Sequence, residues 1–79
     1  MTKAELDNLR RVENAILVAV EAAGKPYPPR ELYQELEDQG HSEDRARAAI
    51  WFLVDAGRLF FTQNWRLSLA PVAAQAVNG

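Results

Sequence analysis

The clearest hydrophobic pattern in the chain lies between Ser42 and Gly57. Small and aliphatic residues recur there at the spacing of one helical face: Ala46, Ala49, Ile50, Leu53 and Val54. Ser42 suits the N-cap position, and Glu43 and Asp44 fall in the first turn, where the helix dipole favours negative charge. Gly57 ends the pattern. The spacing therefore predicts a helix over about 43–56 with one buried side.

A longer first helix is predicted over about 3–23, a segment rich in Ala, Leu, Glu and Arg. One side carries its large apolar residues: Leu6, Leu9, Ile16, Leu17 and Val20. Glu13 falls on the same side, which we interpret as a helix whose first turns extend beyond the core. The alternatives are that Glu13 meets an arginine, or that Leu6 and Leu9 pack against a second copy.

A proline-rich turn and a second helix follow. Gly24 supplies a stop, and the prolines around Tyr27 favour extended backbone, so we expect a short strand at Tyr27. A helix is predicted over about 29–39, with an inward face of Leu32, Tyr33 and Leu36. Gly40 then suits the left-handed conformation needed to enter the next helix after a tight turn.

Beyond Gly57, two arms rich in aromatic and aliphatic residues predict a β-hairpin over about 58–69. Two registers fit the sequence. A loop of two or four residues would place Phe60, Trp65, Leu67 and Leu69 on one face. A loop of three would instead pair Leu59 and Phe61 with Leu67 and Leu69. Residues 71–79 read as a frayed helix or tail. The whole pattern is that of one small α+β domain.

Composition narrows the class of protein. The chain has 79 residues, is 48% hydrophobic and contains no cysteine, which fits a single globular domain in a reducing compartment. Its start lacks the basic-then-apolar order of a signal peptide, and its longest apolar run, Ala15 to Val20, is far too short to span a membrane. We therefore expect a cytoplasmic protein with no membrane partner.

The charge is unevenly distributed. The net charge is −2, but residues 1–40 carry five basic and eight acidic groups, whereas residues 41–79 carry four and three. The hairpin half is therefore slightly positive, the direction that a nucleic-acid partner requires.

The order of elements resembles the winged helix-turn-helix superfamily over roughly residues 15–69. The matching segments are Pro29-Arg-Glu-Leu-Tyr-Gln-Glu-Leu, Gly40-His-Ser, the inward face from Ala46 to Leu53, and Asp55-Ala-Gly-Arg-Leu followed by a hairpin. The resemblance implies binding to double-stranded DNA, as in transcription regulators. The third helix would enter the major groove, and the hairpin, or wing, would lie on the backbone.

Particular residues fall at positions that the family uses for DNA. Ser42, Arg45 and Arg47 match the turn and the groove-facing start of the third helix. Arg58, Asn64 and Arg66 match the wing. So few positive groups imply weak binding by one copy, and we expect a homodimer formed through the first helix or the tail.

A second hypothesis is a winged-helix protein-interaction module. The third helix begins with Glu43 and Asp44 rather than with base-reading residues, and Arg45 and Arg47 have nearby carboxylates with which to pair. The candidate protein interface is Trp51 and Phe52 with Phe60, or with Phe61 in its place. The usual behaviour of tryptophan in a small domain argues against this interface, because it predicts that Trp51 and Trp65 lie in the core or at its rim.

Catalysis is not expected. His41 is the only histidine and no cysteine is present, so the sequence offers no set of metal ligands of the usual kind. It also has no glycine-rich phosphate loop and no nucleophile elbow. We expect no catalytic residue, no metal and no cofactor.

Overall fold

A computed structural model describes residues 1–70 as three helices followed by a two-stranded antiparallel sheet. The helices are α1 (Lys3–Ala23), α2 (Pro29–Asp38) and α3 (Glu43–Asp55), and the strands are β1 (Leu59–Phe61) and β2 (Leu67–Leu69). This α+β order confirms the predicted fold class and has the layout of a winged helix. The tail predicted over 71–79 lies outside the described residues.

Local chemistry sets the ends of the helices. Thr2 and Glu5 form a reciprocal capping box at the start of α1, and Gly24 ends that helix with φ +65°. Gly40, with φ +93°, follows α2, and the next N–H, that of His41, donates to the Leu36 carbonyl at 2.9 Å. The tight turn between α2 and α3 is thus built as the sequence predicts, with glycine in a conformation that other residues rarely adopt.

The core is entirely aliphatic and lies where α1 packs against α2, α3 and β2. Its buried residues are Val12, Ile16, Ala19, Val20, Leu32, Leu36, Ala46, Ala49, Ile50, Leu53, Leu59 and Leu67. The prediction for α3 is confirmed except for Val54, which is only partly buried.

On α1, the inward stripe is centred on Val12 and Ala19, which the predicted apolar side did not include. Leu6, also on the predicted apolar side, is 38% exposed, which agrees with our interpretation of the start of this helix. The physical reason is the length of the helix. The first turns of α1 extend beyond the core, in keeping with the position of Glu13, and Glu13 is itself partly exposed.

The hairpin adopts the register of the three-residue loop. Leu59 pairs with Leu69 and Phe61 pairs with Leu67, so these side chains share one face, while Phe60 and Ser68 share the other. Tyr27 forms an isolated bridge to Leu67, with reciprocal N–H to carbonyl bonds of 2.8 and 2.9 Å. The short strand expected before α2 is therefore this single bridge, which ties the hairpin to the helices.

Across residues 1–70, α1 to α3 include no segment with the length and apolar character required to cross a membrane.

Candidate nucleic-acid interface

The start of α3 is fixed by Ser42. Its backbone is extended (φ −74°, ψ 154°), and its Oγ accepts a hydrogen bond of 3.2 Å from the Arg45 N–H. The hydroxyl keeps its own hydrogen to donate, and Ser42 is exposed. Glu43 and Asp44 occupy the first turn, as predicted. The N-terminus of α3 is thus capped. The helix dipole makes it partly positive, but Glu43 and Asp44 add two negative charges there.

Arg47 interacts with two neighbouring side chains, those of Glu43 and Tyr33. Its Nη2 donates to Glu43 Oε2 at 2.8 Å, one helical turn away, and its guanidinium lies 5.9 Å from the centre of the Tyr33 ring on α2. Hydrogen bonding to the Tyr33 side chain and then the charge of Glu43 raise the pKa of Arg47 above its ordinary value. Arg47 therefore stays charged, but its charge is already partly balanced.

Arg45 lies on the other edge of α3. It borders a hollow of about 160 Å³ between α1 and α3, together with Leu9, Ala48 and Phe52. Arg45 is exposed and forms no ion pair among residues 1–70. The two arginines of α3 thus point to opposite sides of the helix, so they do not form one positive patch.

The wing contains the most positive stretch of the candidate interface. Between Ala56 and Ala70 the sequence has two arginines, Arg58 and Arg66, and no carboxylate. Both arginines are exposed, as is Asn64 at the loop, and neither forms an ion pair within the described part of the chain. The predicted wing residues are therefore accessible to a partner.

The wing loop has a specific geometry. The Thr62 N–H donates to the Arg66 carbonyl at 2.8 Å, the Trp65 N–H donates to the Thr62 carbonyl at 2.9 Å, and the Arg66 N–H donates to Thr62 Oγ1 at 3.2 Å. Trp65 closes the loop with φ +59°, the left-handed conformation. Among residues other than glycine in the described chain, Trp65 alone has a positive φ. A bulky residue there costs about 1 kcal/mol or more.

An aromatic row, formed by Trp51, Phe61 and Trp65, joins α3 to the wing loop. The Phe61 ring centre lies 5.7 Å from those of Trp51 and of Trp65, and both pairs are tilted. Phe61 is partly buried, but Trp51 is 53% and Trp65 is 72% exposed. The outer face of α3 and the wing loop are therefore one continuous surface.

The exposure of both tryptophans corrects a prediction. Trp51 and Trp65 were expected in the core or at its rim, but aliphatic side chains fill the core without them. Trp51 lies on the outward side of α3. Trp65 is held away from the core by the loop conformation, which local sequence patterns do not specify for a tryptophan.

The alternative protein interface is only partly assembled. Trp51, Phe52 and Phe60 are all exposed, at 53%, 49% and 43%. However, Phe52 borders the hollow beside α1, and Phe60 points to the hairpin face opposite Phe61. The residue that adjoins Trp51 is Phe61, the alternative to Phe60 in the predicted interface, and Trp65 adjoins Phe61 in turn. The three-residue register, one of the two that the sequence allows, places Phe61 rather than Phe60 beside Trp51.

Within residues 1–70, no cluster of three or more histidine, aspartate or glutamate side chains is arranged to hold a metal ion. Comparisons with protein-family models, with curated proteins and with solved structures each found no match to this chain. The assignment of function therefore rests on the surface formed by α3 and the wing.

Proposed function

We propose that the protein is a DNA-binding winged-helix module of the kind found in transcription regulators, with α3 toward the major groove and the wing on the backbone. The observation that carries the proposal is the continuous surface from the outer face of α3, through the aromatic row, to a wing segment, 56–70, that has two arginines and no carboxylate. The outer face of a helix and an adjoining basic hairpin offer two contacts with one duplex.

Each candidate residue has a role set by its chemistry. Ser42 donates its hydroxyl hydrogen to a phosphate while it still caps α3. Arg58 and Arg66 neutralise the backbone, and Asn64 contacts it at the loop. Arg45 reaches a phosphate from the edge of α3. Arg47 approaches base edges only by exchanging its bond with Glu43, so α3 contributes less affinity than the wing.

Salt dependence tests this proposal. Binding of the protein to a mixed-sequence duplex should be measured by fluorescence anisotropy between about 50 and 200 mM salt. We expect log affinity to fall with log salt by about 0.9 per phosphate contact. Replacing Arg58 and Arg66 together by Gln should weaken binding and make this slope shallower by about 1 for each arginine that no longer neutralises a phosphate. Lys25→Gln, at an exposed position in the turn after α1, removes one positive charge outside α1, α3 and the wing and should have little effect.

A second variant tests the orientation of α3. Glu43→Gln removes a carboxylate from the helix start and frees Arg47 from its ion pair. If α3 faces DNA, affinity should rise by several-fold, because one repulsive charge is removed and one cation becomes available. Unchanged affinity would place α3 away from the duplex. Absence of any binding by folded protein at low salt would refute the proposal.

The proposal extends to assembly and location. Because one copy supplies few positive groups, we propose a homodimer formed through α1 or the tail, and a cytoplasmic location, which fits a chain without cysteine. Sedimentation equilibrium, with and without duplex, tests the dimer. A monomer in both conditions would contradict it.

A second candidate function is recognition of a protein partner, favoured by the exposure of Trp51 and Phe52 on the outer side of α3. The two functions predict opposite mutational results. Charge reversal at Arg58 and Arg66 should abolish DNA binding and spare a protein complex. Trp51→Ala should disrupt the protein complex most strongly.

A further inference from the structure

We infer that the wing carries a nucleobase-stacking site centred on Trp65, so that the module binds DNA with unpaired bases more tightly than it binds an intact duplex. This inference rests on the proposed DNA-binding function and adds the class of DNA structure that the wing recognises.

The first support is the way in which Trp65 is displayed. It is the most exposed aromatic side chain in residues 1–70, at 72%, and it stands in the wing loop. Its backbone adopts φ +59°, where glycine or asparagine would be relaxed. Phe61, at 5.7 Å and tilted, supports the indole from one side. Trp65 is thus a supported aromatic surface that is largely open to solvent.

The second support is the sign of charge around each aromatic residue. In the wing segment from Ala56 to Ala70 the only charged residues are two arginines, and one of them, Arg66, follows Trp65 in the sequence. Helix α3, by contrast, carries Glu43, Asp44 and Asp55 against two arginines, one of which is paired. Phosphates are therefore better accommodated at the wing than along α3.

Together these features match the chemistry of single-stranded DNA. A single strand is bound when aromatic side chains stack on its bases and cations follow its backbone, a combination that tolerates any base sequence. In an intact duplex the base faces are covered by neighbouring pairs, so an exposed indole gains little from them. An unpaired base at an overhang or an opened site presents a free face to Trp65, and Arg66 and Asn64, its neighbours in the sequence, supply a charge and a polar group for the phosphate.

The test compares two forms of one DNA. Anisotropy titrations should use a blunt mixed-sequence duplex and the same duplex with a short single-stranded extension. The wild-type protein should bind the extended form about fivefold more tightly or better, the lower range for one stacked base. Trp65→Gly, which suits the positive φ, should bring this ratio close to one. Trp65→Phe should keep part of it.

Two controls separate stacking from folding. Phe60→Ala removes an exposed ring from the opposite hairpin face and should keep the wild-type ratio. In a Trp51→Phe background Trp65 is the sole tryptophan, and its fluorescence should be quenched by the extended DNA more than by the blunt duplex. Circular dichroism confirms that each variant is folded.

The outcomes distinguish the two proposals. Equal affinity for both DNA forms, or a preference that survives Trp65→Gly, would overturn the stacking site and leave duplex binding intact. Failure of the folded wild-type protein to bind either DNA would overturn the proposed function as well.

Discussion

The base and the tip of the wing differ sharply, although they are only a few residues apart. At the base, Leu59 and Leu67 are fully buried, and Leu67 also exchanges two backbone hydrogen bonds with Tyr27. At the tip, Trp65 is largely exposed in a left-handed conformation that a tryptophan rarely adopts. One hairpin thus has an end that belongs to the core and an end that belongs to the surface.

This difference indicates that the base of the hairpin contributes to stability, whereas its tip is available for binding. Substitutions at the base should change the free energy of unfolding, whereas substitutions at the tip should change binding while leaving the fold intact. Residues of the α3 start combine both roles, because Ser42 caps the helix and also faces outward.

The largest effect is expected at the base. Leu67→Ala removes a fully buried side chain from the contact between β2 and α1 and should lower the free energy of unfolding by about 3 kcal/mol. In a domain of this size that is a large part of the total. Urea denaturation followed by circular dichroism measures it.

Phe60→Ala provides the matched control in the same hairpin. Phe60 is 43% exposed on the opposite face, so its removal should cost well under half as much. Equal losses for the two variants would show that the two faces of the hairpin are buried alike, and the distinction between base and tip would fail.

The α3 start should show a smaller, double effect. Ser42→Ala removes the bond to the Arg45 N–H and should cost about 1 kcal/mol in the free energy of unfolding. Ser42→Asp keeps the cap and favours the helix dipole, so stability should be retained, but the added charge should weaken DNA binding. A stability loss in Ser42→Asp equal to that in Ser42→Ala would contradict the capping role.

At the tip, a pair of substitutions at Trp65 separates the cost of its backbone conformation from the contribution of its side chain. Trp65→Ala and Trp65→Gly both delete the packing against Phe61, but only glycine is relaxed at φ +59°. The glycine variant should therefore be more stable than the alanine variant by about 1 kcal/mol. Thermal unfolding of the two proteins compares them directly. An alanine variant as stable as the glycine variant would show that the loop has rearranged.

The sequence predicts the elements of the fold because each has a long periodic pattern and its own stop signals. The α3 face and the turn at Gly40 are local features, and both are confirmed. The pairing of Arg47 with Glu43 is also predictable from the sequence, since residues four apart on a helix are neighbours.

The aromatic row was not predicted, and the reason is the backbone conformation of Trp65. Its positive φ sets the three-residue loop, and the loop sets the register that turns Phe61 toward Trp51. Propensity gives no reason to expect a left-handed tryptophan. The register was therefore left open, and the expectation that Trp65 lies in the core or at its rim is wrong.

The smallest effect concerns Tyr27, which anchors the base of the wing. Burial, and then the charges of Glu35 and Glu31, raise the pKa of Tyr27 above its ordinary value of 10.0. The neutral phenol is thus favoured in the folded state, so its contribution to stability is complete below about pH 10 and is lost as the pH rises, because the unfolded chain ionises first. Tyr27→Phe removes this group, and its stability relative to wild type should improve between about pH 9 and 11. If wild type and Tyr27→Phe lost stability equally as the pH rises, ionisation of Tyr27 would not contribute to the pH dependence of stability.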